Sequence, residues 1–179
     1  MNISYKHNMK KIRVGIFCVY MAVVILMCCK SVYAYVTNGY VLSSPSFITY
    51  RIKSSASQYS SMIVTYMKKW NSCPEISFAP SQVEIGNGNI NFETDSVNSQ
   101  NIAICTHYGN NSHTITFHAS FQNKSNAQKQ ETIVHEVGHA LGLAHCQSAK
   151  NTISVMRASG FNNKAYPLSD DYQGIGYIY

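Results

Sequence analysis

The sequence predicts an α+β fold, a twisted mixed sheet with an edge strand, two long helices and a short C-terminal helix. Three observations point there. Short β-rich segments separated by Pro, Gly, Asn and Ser fill the first two thirds of the chain, two stretches carry apolar residues at helical spacing, and a third such stretch closes it. At 179 residues there is room for one domain with a hydrophobic core, and a charged fraction of only 12% beside 45% apolar residues excludes the disordered class.

Residues 1–34 read as an export signal. Lys6, Lys10, Lys11 and Arg13 precede an apolar run from Val14 to Cys29, and Ser31 to Ala34 offers the small residues of a cleavage site ending at Ala34. The run is shorter than the roughly 20 residues of a spanning helix, which favours cleavage over an uncleaved anchor and predicts no stable membrane association afterwards. Five basic residues leave with this segment and no acidic ones, so the formal charge falls from +6 to about +1. The basic character is therefore no argument for nucleic acid. Cys73, Cys105 and Cys146 remain, and in an oxidising compartment a Cys73–Cys105 disulfide with one free thiol is the expected outcome.

Within 35–179, Phe47 to Ile52 alternates as a strand. Ala56, Tyr59, Met62, Ile63, Tyr66, Met67 and Trp70 then form one helical face, ending near Asn71 and Pro74. Further strands are expected at Ile76–Phe78, Asn89–Phe92 and Ile102–Cys105. His113 to Phe121, with polar residues at alternate positions, is expected as the exposed edge strand. Ser125 and Gln128 form a capping box for the second helix, whose buried side is Ala127, Ile133, Val137, Ala140, Leu141 and Ala144. Ser169, Asp170 and Asp171 cap a last helix with Tyr172, Ile175 and Ile178 as its apolar face.

Residues 135–145 read HEVGHALGLAH. His135 and His139, four apart on a helix, point the same way and can reach one ion. His145 would lie on the wrong side of a straight helix. Gly142, free to adopt a left-handed conformation, lets the helix end and the chain double back. Three imidazoles with an open fourth position are the ligand set of a catalytic zinc, and Glu136 beside them is placed to accept a proton from the attacking water and return it to a leaving amine. Peptide hydrolysis is the chemistry this pattern predicts.

The pattern H-E-x-x-H-x-x-G-x-x-H, followed after a short loop by Ser154-Val155-Met156-Arg157, resembles the metzincin metallopeptidases, and within them the matrixins in a short bacterial-type form. The resemblance covers residues 47–179. It implies a zincin-like catalytic domain over 35–179, one catalytic Zn2+ on His135, His139 and His145, Glu136 as general base, and Met156 as the methionine-turn residue under the metal. Ala158 stands where related branches carry a tyrosine ligand, and Cys146 stands where matrixins typically have serine. Matrixins also carry structural Zn2+ or Ca2+. Here His107, His113 and His118 come without matching carboxylates, so the expected place of His113 and His118 is on the edge strand. No cysteine-switch segment is visible between Ala34 and the first strand. The resemblance further implies a protein or peptide substrate laid antiparallel along Thr114–His118 and a wall for the pocket past the scissile bond from Ser159–Leu168, with Phe161 and Tyr166 as lining candidates. The export signal makes a secreted, extracellular chain the expectation, and a monomer is expected. Two other functions stay open: a zinc-binding interaction or toxin module, and a zinc amidase acting on a non-protein amide.

Overall fold

The computed structural model describes residues 35–179; the proposed export signal lies outside them. Strand β1 (Tyr50–Ile52) leads into helix α1 (Ser60–Met67), flanked by 3-10 turns at Ser54–Tyr59 and Lys68–Ser72. The expected helix is therefore present but tightened at both ends. Its serine-rich start supplies no side-chain cap, and 3-10 turns satisfy the terminal backbone groups instead. Next come β2 (Ile90–Thr94), β3 (Ala103–His107), β4 (His113–Phe117), helix α2 (Asn126–Ala140) and helix α3 (Ser169–Ile178). The expected segment at Ile76–Phe78 contributes a single parallel bridge, Phe78 to Ile48.

The four strands lie in the order β1-β2-β4-β3. β1 pairs parallel with β2 and β2 parallel with β4, whereas β3 folds back antiparallel on β4, with Cys105 opposite Ile115. The edge assignment is thus corrected: β4 is an inner strand and β3 is the outer one. The polar alternation of β4 misleads because its polar groups are met sideways, inside the sheet. Thr116 donates to Glu93 of β2 at 3.0 Å, and His113 shares a 2.9 Å Nδ1–Nδ1 contact with His107 of β3.

One core joins the sheet to the helices. Ile63, Met67 and Trp70 from the first helical segment meet Ile133, Val137 and Leu141 of α2, with Phe92 and Phe117 stacked on the sheet. The Trp70 indole also donates to the Val134 carbonyl at 3.0 Å, which ties the two helices at one point. Truncating so large a buried side chain costs about 3–5 kcal/mol.

Two further expectations need revision. Cys73, Cys105 and Cys146 are all free thiols. Cys73 is sealed in the core, where burial pushes its thiol up to about 12, while Cys105 sits on the outer strand in a cleft. The two belong to different environments, and no bridge joins them. At the C-terminal helix the N-cap is Leu168 rather than Ser169, and Asp171 accepts from the Leu168 N–H at 2.8 Å. Tyr172 faces outward, its hydroxyl 2.7 Å from that of Ser72, and Ile175 holds the buried face with Ile178 partly buried beside it.

Candidate metal centre

Helix α2 begins at the expected capping box, with Ser125 and Gln128 each accepting from the other's backbone N–H. It ends at Ala140 with Leu141 as its C-cap, followed by Gly142 at φ +100°. The N–H of Gly142 bonds the His139 carbonyl and that of Leu143 bonds the Gly138 carbonyl, both at 3.0 Å, the paired closure of a helix that turns on a left-handed residue. A Cβ on Gly142 would stand 2.5 Å from the Tyr40 carbonyl oxygen, so packing and dihedral both require glycine.

This turn delivers the third histidine. His135, His139 and His145 present ligand nitrogens within 4.8 Å of one another, the one such group of three among the described residues. The Nε2 atoms of His135 and His139 are 3.1 Å apart. Two nitrogens bound about 2.05 Å from a tetrahedral ion stand roughly 3.3 Å apart, so this spacing fits zinc. His135 Nδ1 donates to the Val155 carbonyl at 2.9 Å and His139 Nδ1 to the Leu143 carbonyl at 2.8 Å, which fixes the tautomer and leaves both Nε2 lone pairs for the metal. Burial holds all three imidazoles neutral, with His135 pushed down to about 4 and His139 to about 3. Neutral imidazole is the ligating form. Glu136 is buried beside them, and desolvation pushes its carboxyl up to about 8 against the opposing backbone N–H of Cys105.

Met156 is buried against α2, its sulfur packed so close to Gly138 that a Cβ there would overlap it. Asp171 sets the turn from behind. Its carboxylate accepts from the Ser154 hydroxyl at 2.5 Å, the Val155 N–H at 2.9 Å and the Leu168 N–H at 2.8 Å. Cys146 has a simple place here: its N–H bonds the Met156 carbonyl at 2.6 Å and its thiol points at Asn151, away from the cleft.

The profile of the family described as Matrixin matches residues 43–179. The chain belongs to the matrixin family. As a matrixin it is a metallopeptidase, and the family implies zinc. Two solved structures of myroilysin share its fold, each with 19% sequence identity and a TM-score of 0.58; one match covers 80% of this chain and 97% of that protein, the other 81% and 88%. No match was found among curated protein sequences.

A cleft of about 690 Å³ runs over the three histidines of this matrixin, with β3 along one side and α2 with the loop 157–161 along the other. Phe161 lines it as expected; Tyr166 does not, and stands largely exposed. His113 and His118 are not edge decoration. His113 is fully buried beside His107, and His118 binds Asp95 at 3.0 Å.

Four contributors went unread in the sequence. Asn38 donates to the carbonyls of His139 and Leu143, at 2.8 and 3.2 Å, and so braces the turn that carries His145. No local pattern announces it. Gly138 could have been found, because a glycine inside a helix costs about 1 kcal/mol and signals close approach. Asp171 looked like a helix cap, and Glu131, a charge in the apolar part of α2, was the visible anomaly.

Proposed function

We propose that this chain is a secreted zinc endopeptidase in which His135, His139 and His145 hold the metal and Glu136 is the general base. The observation that carries the reading is the 3.1 Å approach of two Nε2 atoms whose Nδ1 atoms are both tied to carbonyls. A zinc ion in this set supplies Lewis acidity, polarising a peptide carbonyl and acidifying a water. Glu136 takes that water's proton as attack begins and gives it to the departing amine nitrogen. The extended substrate adds to the free side of β3, not to Thr114–His118, because β4 is covered by β3. Export rests on residues 1–34; among the described residues no helix is long and apolar enough to cross a membrane. The exported chain is a monomer beginning at Tyr35.

The test is digestion of a mixed peptide library by the zinc-loaded chain, with Glu136→Gln and a chelator as controls. Turnover should fall at least about 100-fold in Glu136→Gln while zinc content is kept. Equal cleavage by the two proteins would remove Glu136 from its role. Amino-terminal sequencing of exported protein checks the start at Tyr35.

A further inference from the structure

Beyond the histidines the cleft has an arm bounded by Glu131 and Thr132 of α2 and by Arg157 to Phe161 of the loop after Met156. Glu131 stands one turn before His135, so helical spacing puts both on one face. Its side chain is 4% exposed and its oxygens are fully engaged. Oε1 accepts from the Asn162 N–H at 2.9 Å and from Arg157 Nη2 at 3.3 Å; Oε2 accepts from the Asn163 N–H at 2.7 Å and also from that of Asn162 at 3.2 Å. Glu131 has nothing left to offer a ligand.

Arg157 is the opposite case. Its side chain is 12% exposed, the 3.3 Å contact with Glu131 is its one hydrogen bond among the described residues, and its Nε is buried with no partner among them. A guanidinium carries five N–H donors and no acceptor, so a buried one with a single long bond has donors to spare. Nε is already closed off, but the rest of the guanidinium lines the cleft, and an apolar side chain entering this arm would cover its open donors and leave them unmet. One with an acceptor oxygen would meet them. Sites built around a hydrogen bond reject the analogue that lacks it far more strongly than apolar pockets reject a misfit.

We propose that Arg157 determines specificity in this arm, selecting a substrate whose side chain next to the scissile bond ends in an acceptor oxygen: a carboxylate or a carboxamide. This rests on the endopeptidase reading above. It also gives Glu131 a task, because a carboxylate saturated by two backbone N–H groups and one guanidinium holds the loop and aims Arg157 without competing for the ligand.

The test uses the zinc-loaded chain on peptides identical except for Glu, Gln, Asp, Asn, Leu or Lys at that position, with cut sites read by mass spectrometry. Glu or Gln peptides should be cleaved with kcat/KM at least about tenfold above the Leu peptide, and Lys should be poorest. The Glu-to-Gln and Asp-to-Asn ratios tell a carboxylate from a carboxamide. The pair Arg157→Met with Glu131→Gln keeps side-chain shape and should lose the preference while still cutting the Leu peptide. Arg157→Lys should restore part of the preference for the carboxylates. A wild-type preference for Leu overturns the proposal, as does a variant that slows all peptides by the same factor, which would make Arg157 a loop brace. Should the double variant not hold zinc, the wild-type Leu-to-Gln ratio decides alone. Failure of the wild type to cut any peptide defeats the endopeptidase reading, and this proposal with it.

Discussion

The two walls of the cleft are built on opposite principles. On the helix side, the functional groups depend on a few specific contacts: Gly142 and Asn38 for the turn, Asp171 for the methionine loop, two carbonyls for two imidazoles. On the strand side, β3 is held by its ladder to β4 and offers a substrate mainly backbone. The contrast teaches where this enzyme is brittle. Substitutions on the helix wall should be costly even when conservative, and substitutions on the strand wall should be absorbed.

The largest effect should come from Gly142→Ala. It adds a Cβ at φ +100° and against the Tyr40 carbonyl, so the turn must open and His145 must withdraw. Zinc affinity should fall by about 100-fold or more, measured by competition with a chromogenic chelator, with lost activity restored in part by excess zinc. Full zinc affinity in this variant would show that His145 is not positioned by the turn.

Next in size is Asp171→Ala, which leaves the buried Val155 N–H, the part-buried Leu168 N–H and the Ser154 hydroxyl without their acceptor. Such losses cost about 1–3 kcal/mol each, less whatever water recovers. Thermal unfolding should shift down by roughly 5–10 °C at fixed zinc. Zinc should also dissociate faster, because the Val155 carbonyl that orients His135 belongs to the freed loop.

A smaller effect joins the walls. His113 of β4 is buried and pushed down to about 4, chiefly by desolvation and further by His107, with a bond to the Asn110 carbonyl opposing. An unfolded histidine titrates near 6.5. Between those values the unfolded chain takes the proton and the folded one does not, so stability is full above pH 6.5 and drains away as pH falls toward 4. His113→Gln should flatten that decline by at most about 1.4 kcal/mol per pH unit relative to wild type at equal zinc loading, in denaturant melts at pH 7, 6 and 5. Parallel pH profiles would mean that His113 takes its proton without cost.

The same contrast explains what was legible in the sequence. On the helix wall, ligands, base, capping box and terminating glycine lie within 20 residues of one another, and periods of three and four place them. The strand wall depends on pairings between distant segments, and the Thr and His alternation of β4 reads as an exposed edge although β4 is an inner strand. Asn38, Arg157 and Asp171 share that limit, since each acts on groups far away in sequence or gains its role from the burial that folding imposes.

The smallest effect should belong to Ile104→Thr. Ile104 projects from the outer strand with 43% of its surface exposed, and it stands opposite Thr116 in the ladder. Threonine keeps the β-branch that suits an extended backbone, so the ladder to β4 survives. If the strand acts through its N–H and C=O groups, kcat/KM on an extended peptide should change by less than about twofold, with Tm moved by no more than roughly 2 °C. A tenfold loss would mean that β3 reads side chains, and the two walls would then be of one kind.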